Sequence, residues 1–457
     1  MNIDGAIRKA QHLGASYCDI RTVQGGGTTL SYRDGELYKA ISGGDRGAGI
    51  RVLYGGNWGF YAVDGKMSLS RGVERAVKLA RTLASRKKGK VKLAPCPVVK
   101  DSLPLRVTRD PREVDLLWKV ELLEDLMATF NDYTEINSVE VGLDDGVVKN
   151  HFYSSEGSEL SFYESSVLVR ASLTARDGTD VVGYRMRLGG AAGYEILDGD
   201  ILMEKAEEAA LSTIRLLGAR SAPSGKYTVI ADPDLAGVFA HEAVGHATEA
   251  DLVLSGDSIL KGEIGNKIGS DFVTIFDDPS IPGGFGSFPY DDEGVKARKK
   301  MLIEGGILMG FLHSRETSGE MDDVSNGSAR SQSAGSPPLV RMSNTMIGNG
   351  EMSFEELIED IHYGVYLMGT RGGQVDTAKG MFQFNAAEGY LIEKGKLTSP
   401  FKDVSLSGST LDTLKNIDAL ANDFRLGSPG FCGKGQLVSV CDGGPHIRIR
   451  DAVVGGR

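Results

Sequence analysis

The 457-residue chain has no long apolar run, no excess of basic charge, few cysteines and little proline. The first absence excludes a membrane-spanning helix, which needs about 20 predominantly apolar residues in succession. Met1-Asn2-Ile3-Asp4 lead straight into an amphipathic helical pattern, so the expectation is a cytoplasmic protein with neither a secretory signal nor a membrane span. Lys and Arg number 51 against 62 Asp and Glu, a net charge of −11, which argues against a broad phosphate-binding surface and hence against a nucleic-acid partner. The basic stretch Arg86-Lys87-Lys88-Gly89-Lys90 lacks aromatic partners and reads as a solvated helix end and linker. Four cysteines without paired spacing fit a reducing compartment better than a disulfide framework, and the Asn326-Gly327-Ser328 sequon then carries no weight. Against 14 prolines stand 61 glycines, which together with regular apolar periodicity indicate many turns and bulges in a β-rich chain.

What is present divides the chain into two parts. A helix is expected from about Ile3 to Leu13, then strands around Cys18–Val23, Thr28–Arg33, Gly47–Tyr54 and Asn57–Val63, then a helix through Leu69, Val73, Ala76, Ala80 and Leu83. The order repeats. Asp110-Pro111 reads as cap and first turn of a long helix to about Asn131. Strands between Ile136 and Leu188 follow, with turns at Asp144-Asp145-Gly146 and Asp177-Gly178, and a helix through Leu202, Ala206, Ala209, Ala210 and Leu217. Helix, strands, helix, twice, hints at two similar layers. Ser221-Ala222-Pro223-Ser224-Gly225 reads as a domain boundary, giving an amino-terminal region 1–220, with a sub-boundary near 90–110, and a carboxy-terminal domain 225–457. The fold class is α+β. Beyond the boundary, Tyr227-Thr228-Val229-Ile230 is a short strand leading into a helix from about Asp234. The rest is strand and loop, in which Gly283-Gly284-Phe285-Gly286, Gly372-Gly373 and the earlier Gly43–Gly49 segment read as turns or places of close backbone approach.

The second helix of chemical interest carries His241-Glu242-Ala243-Val244-Gly245-His246, two of only seven histidines, with a glutamate beside the first. In the zinc-protease arrangement H-E-x-x-H, two histidines four apart share one helix face and the glutamate activates water. Here one residue is extra. Five steps on an α-helix turn the second histidine by roughly 140° from the first, whereas four steps give roughly 40°. A π-bulge or a helix break near Gly245 is therefore expected to bring His246 back toward His241.

Catalytic zinc usually takes three protein ligands. The best third candidate is Cys432, in Ser428-Pro429-Gly430-Phe431-Cys432-Gly433-Lys434-Gly435, where glycines permit close backbone approach and Lys434 adds positive charge favouring a thiolate. Cys441, after Leu437-Val438-Ser439-Val440, reads as a small buried strand residue, as does Cys18; Cys96 lies between Pro95 and Pro97 in a linker. Imidazole and thiolate favour zinc over magnesium or calcium, with iron and cobalt also compatible. Tyr290-Asp291-Asp292-Glu293 admits two readings, a cluster that orients a ligand or a substrate amine, and a solvated acidic turn.

These residues bring a family into view. The segment His241 to Asp251, Tyr290-Asp291-Asp292-Glu293-Gly294, Arg341-Met342-Ser343-Asn344-Thr345, Gly372-Gly373-Gln374-Val375-Asp376, Ala387 to Glu393 and Phe431-Cys432-Gly433-Lys434 resemble, in order, the TldD branch of the TldD/PmbA family. The resemblance implies a metalloprotease acting on unfolded polypeptides, with zinc held by His241, His246 and Cys432 and with Glu242 as the catalytic glutamate. It implies a barrel-like carboxy-terminal domain, and a dimer formed with a second copy or with a partner from the PmbA (TldE) branch, which lacks the metal motif. Sequence-tolerant substrate binding is then expected through addition of an extended peptide to a sheet edge, helped by the glycines near Gly372. The rival from another class is a noncatalytic peptide-binding or regulatory subunit, which would bind no metal; a topoisomerase modulator is opposed by the acidic charge.

Overall fold

The computed structural model describes residues 2–64, 67–86 and 89–456; Lys87 and Lys88 of the basic stretch lie outside the described residues. The amino-terminal part runs α1 (Ile3–His12), β1 (Tyr17–Arg33), β2 (Glu36–Tyr54), β3 (Asn57–Asp64), α2 (Leu69–Arg86), β4 (Lys100–Ser102), α3 (Leu116–Asn131), β5 (Ile136–Ser154), β6 (Glu159–Asp177), β7 (Asp180–Gly190) and α4 (Ile201–Leu216). The two helix–strand–helix passes do not form separate layers. They join through antiparallel pairing of β1 with β5 into one sheet of order β3-β2-β1-β5-β6-β4, with β7 on β6.

Helices cover one face of this sheet because their apolar stripes meet alternating strand residues. Ala6 and Ala10 of α1 and Val73, Ala76 and Val77 of α2 pack on Cys18, Ile20, Ile50 and Val52. Leu123, Leu126 and Phe130 of α3 and Leu202, Ala206 and Ala210 of α4 pack on Leu30, Val141, Leu143 and Val169.

Several local expectations are corrected. The strands read as Cys18–Val23 and Thr28–Arg33 are one strand, β1, and the glycine segment 43–49 lies inside β2. Asp144-Asp145-Gly146 is no turn; it sits in the middle of β5. Its short carboxylates find partners across the sheet, Asp144 at Thr29 Oγ1 (2.8 Å) and Arg170, and Asp145 at the backbone N–H of Thr28 (2.9 Å) and the hydroxyl of Tyr194 (2.6 Å). Gly146 and Gly27 face each other, and a Cβ on Gly27 would lie 1.9 Å from the Asp145 carbonyl oxygen. Asp110-Pro111 does not open the long helix. Asp110 caps a local turn by accepting from the Arg112 backbone N–H (3.0 Å), and Asp115 caps α3 instead, accepting from Leu117 (2.7 Å).

The carboxy-terminal half is β-rich. Ten strands form a sheet in which Ile447–Gly456, Gly225–Ala231, Tyr363–Met368 and Glu388–Glu393 are central and Gly373–Asp376 forms one edge. A second, seven-stranded sheet includes Asn344–Ile347 and Leu437–Gly444, and Gly430–Gly433 pairs antiparallel with the latter. Among the described residues both sheets are open, so the half is layered and not a closed barrel. Between them lies α5 (Pro233–Val238), continued by a π-helix over Phe239–Gly245. Leu235, Ala236, Phe239, Ala240, Ala243 and Val244 are all at most 1% exposed, which fixes this segment in the largest core. No helix of the described residues is long and apolar enough to cross a membrane.

Candidate metal centre

Asp232 and Pro233 start the segment, the Asp232 carboxylate accepting from the Leu235 N–H (2.8 Å) with Pro233 in the first turn. Six residues after Pro233, at Phe239, the backbone changes pitch. The N–H of His246 bonds to the carbonyl of His241, an i to i−5 bond, so each turn takes in one more residue than usual. Five steps then make roughly one turn, and His241 and His246 face each other with ring centroids 5.5 Å apart and planes at 85°. Gly245 is required for space: a Cβ there would meet Met342 Sδ at 2.0 Å. Gly237 allows α5 to lie on Leu437–Gly444, where a Cβ would meet the Gly443 N–H at 2.5 Å.

That close packing fixes where Cys432 sits. Its strand pairs with Leu437–Gly444, Cys432 opposite Val438, and its carbonyl accepts from buried Arg341 Nη2 (2.6 Å). The thiol reaches His246 Nε2 at 3.1 Å, and the donor atoms of His241, His246 and Cys432 all lie within 4.8 Å of one another. Glu242 projects alongside, its Oε2 3.8 Å from His246 Nε2 and its side chain 27% exposed. Behind His246 stands a residue that sequence reading passed over. Glu249 is fully buried and its Oε2 bonds His246 Nδ1 at 3.0 Å. It is held in turn by Lys434 Nζ (3.1 Å), with Arg341 Nε at 3.7 Å. The signal was available: a carboxylate three residues after a histidine, on a turn of helix.

Electrostatics single out one of the four cysteines. Burial opposes ionisation of Cys432, but hydrogen bonds from His241 and His246 outweigh it and hold the thiol down to about 5. The charge expected of Lys434 acts elsewhere, since its ammonium is turned to Glu249 and Asp251. Cys441 goes the other way, pushed up to about 12 by burial and then by Asp442. Cys96 is raised by burial too.

The cluster suits a metal of zinc's kind. Tetrahedral zinc with nitrogen and sulfur ligands at about 2.0–2.3 Å keeps those atoms roughly 3.3–3.6 Å apart; Cys432 Sγ and His246 Nε2 are 3.1 Å apart, and all three donors lie within 4.8 Å. His241 Nδ1 is also buried without a hydrogen-bond partner, as are Glu249 Oε1 and Arg341 Nε beside the site, and an unmet group of this kind costs about 1–3 kcal/mol. His241, Glu242 and Cys432 line a cavity of about 990 Å³ between the two halves of the chain, which also reaches Gly372, Gly373 and the β7 strand.

The acidic run at 290–293 joins neither of its two expected roles. Asp291 accepts backbone N–H groups of Glu293, Val295 and Ala329, Asp292 pairs with Arg21 (2.7 Å), Glu293 pairs with Arg51 (2.9 Å), and Tyr290 donates to Asp101 (2.8 Å). Asp291 and Glu293 are buried, so the run pins a loop to the amino-terminal sheet.

A two-layered β-rich half with a buried N, N, S cluster on a π-helix defines a metallopeptidase-like architecture, and comparison with known proteins gives it a family. Residues 18–84 match PmbA/TldA metallopeptidase domain 1, residues 109–217 the central domain, and residues 224–456 the C-terminal domain. A "Metalloprotease" of Methanothermobacter thermautotrophicus is 45% identical over 96% of this chain and 95% of its own length. A "Zinc metalloprotease TldD homolog" of Saccharolobus solfataricus is 33% identical over 98% and 99%. The chain belongs to the PmbA/TldD metallopeptidase family, on its TldD branch. In fold it is similar to TldE of Thermococcus kodakarensis (TM-score 0.79, 19% identity, 99% and 100% covered) and to a Thermotoga maritima protein described as a candidate modulator of a DNA gyrase (0.82, 23%, 99% of both).

Proposed function

We propose that the protein is a zinc-dependent peptidase of unfolded polypeptides. The observation that carries this reading is the convergence of His241, His246 and Cys432 within 4.8 Å beside Glu242 on the wall of a large cavity. His241, His246 and Cys432 would hold the metal. Zinc bound there supplies a Lewis acid that acidifies water and polarises a peptide carbonyl. Glu242, part-exposed to the cavity, takes the water's proton on a carboxylate oxygen and delivers it to the departing amine. Glu249 fixes the orientation and tautomer of His246 through Nδ1.

Substrate enters as an extended chain. The strand Gly373–Asp376 has a free edge among the described residues at the end of the ten-stranded sheet, packs near the π-helix, and follows Gly372 at φ +85°; Gly372 and Gly373 line the same cavity. Main-chain bonds to such an edge are indifferent to side chains, and only a chain without secondary structure has those groups free. Family membership and the likeness in fold to TldE support assembly as a dimer, with a second copy or a TldE-like partner, and the proposed compartment is the cytoplasm.

The test uses one protein in native and in permanently unfolded form, followed by mass spectrometry of fragments, with metal measured on the same preparation. Cutting of the unfolded form alone, with Cys432→Ser losing most of the metal and Cys441→Ser keeping it, is expected. Equally rapid cutting of both forms overturns the enclosed-site reading, and equal metal in both cysteine variants overturns the ligand assignment. Purified protein with no metal and no cleavage would favour the noncatalytic subunit.

A further inference from the structure

The cavity has a second wall whose chemistry the peptidase reading leaves unused. Along β7, Val182, Met186 and Leu188 are buried toward the core, while Gly183, Arg185 and Arg187 are exposed, the period-two alternation of a half-covered strand. Arg185 and Arg187 therefore share one face, and both line the cavity that holds His241, Glu242 and Cys432. Arg187 lies directly opposite Arg170 on β6, and Arg185 opposite Ser172. Like charges in direct cross-strand register are destabilising. Arg170 is neutralised by Asp144, but neither Arg185 nor Arg187 has a hydrogen bond or ion pair among the described residues.

Other charges line the cavity as well. Glu140, the acid on the same wall, is taken by Arg33 (2.7 Å) and Tyr38 (2.7 Å). Burial raises the Asp234 carboxyl, and the charges of Lys205 and Arg425 act against that without an ion pair to it among the described residues; Asp232 and Asp442 are further buried acids of the lining. Arg371 is turned to the Gly183 carbonyl (3.0 Å) and toward Asp403 (3.8 Å). In a chain with 62 acidic and 51 basic residues, a pair of unpartnered arginines crowded against a third is a local cost without a structural return. Desolvation, then the like charges of Arg185 and Arg170, pull the Arg187 pKa below its ordinary value, consistent with that crowding.

We infer that Arg185 and Arg187 form an anion subsite that receives a carboxylate of the peptide substrate. The inference rests on the peptidase reading above and deepens it by naming a substrate class. Guanidinium groups match a carboxylate in a planar, two-pronged way that a lysine cannot, and a carboxylate held there relieves the repulsion between the two side chains. Two sources share that chemistry, the terminal carboxylate of a peptide and the side chain of Asp or Glu. In either case the subsite selects among otherwise equivalent extended chains and sets which stretch lies over the metal cluster.

The experiment compares kcat/KM for matched peptides: one sequence as free acid and as carboxy-terminal amide, and one amide with an internal Glu or Gln. Wild-type enzyme is expected to favour a carboxylate-bearing member by about ten- to hundredfold, chiefly through KM, with the preference shrinking as salt is raised. In Arg185→Gln/Arg187→Gln the ratio falls to near one. The pair that shows the preference identifies the source. Equal rates on acid and amide and on Glu and Gln in the wild type, or an undiminished ratio in the double variant, would overturn the subsite. If no peptide is cut at all, the peptidase reading fails, and binding of the same fluorescently labelled peptides to wild type and double variant then decides the subsite separately.

Discussion

Two buried polar clusters in this chain obey opposite rules. At the junction of the halves, Arg51 bonds Asp19 (3.0 Å) and Glu293 (2.9 Å), and Arg315 bonds Glu156 (2.7 Å) and the Ala94 carbonyl (3.0 Å) while its backbone N–H reaches Glu293 (2.6 Å). Every charge there has a partner, and Arg51 also stacks over Trp58 at 4.7 Å. In the candidate metal centre, by contrast, His241 Nδ1 has none, Cys432 is driven toward the thiolate and Glu242 is part-exposed. The contrast is a guide to role. A cluster that satisfies itself holds the fold together, and one that stays unsatisfied is kept for something that arrives later.

The sharpest way to break the comparison is to remove one acid from the open cluster. Glu242→Ala should abolish cleavage, a loss of at least about 10²–10⁴-fold, with unchanged metal content and melting temperature, because this carboxylate moves protons and does not hold the metal. Loss of metal together with activity would make Glu242 a ligand and reverse its assignment.

Removing a cation from the closed cluster should do the reverse. Arg51→Ala strands Asp19 and Glu293, which are 0% and 2% exposed, without their cation. Breaking a buried pair in this way costs about 3–5 kcal/mol. Denaturant unfolding is expected to show that loss while kcat per metal-loaded molecule stays near wild type. A stable variant with impaired kcat would place the acidic loop at 290–293 back in the chemistry.

How far these roles were legible beforehand depended on range. A π-bulge or a helix break could be read from six residues, because two histidines that must meet and an α-helix that separates them leave few geometries; the π-helix is the one formed. Cys432 stood out against Cys441 through its glycines and Cys441's apolar run, both local features. The central strand position of Asp144-Asp145-Gly146 could not be read that way, since the Asp145 carboxylate depends on Thr28 and Tyr194, far off in sequence. Glu293 and Arg51 are 242 residues apart, so the acidic run could be read only as a ligand-orienting cluster or a solvated turn. Arg185 and Arg187 were silent as well, because their meaning lies in the register that places Arg170 opposite.

The smallest expected effect tests where the two clusters share a device, a buried carboxylate bracketed by cations. Glu249 resembles Glu293 in burial, yet it serves His246, so its loss should be felt first in metal affinity. Glu249→Gln keeps the volume and can still accept a hydrogen bond from Nδ1, but it removes the charge that Lys434 and Arg341 face. Weakening of metal binding by about 10–100-fold is expected, read by chelator competition at neutral pH. Acid should release metal from wild type as well. His241 and His246 are both raised above the ordinary imidazole value and the free thiol of Cys432 is held down to about 5, so as the pH falls protons compete first for the histidines and then for the sulfur, and occupancy is lost on the acidic side. If Glu249→Gln lowers the melting temperature of metal-free protein and leaves metal affinity intact, Glu249 belongs with the closed cluster, and the distinction between the two would have to be drawn at His246 itself.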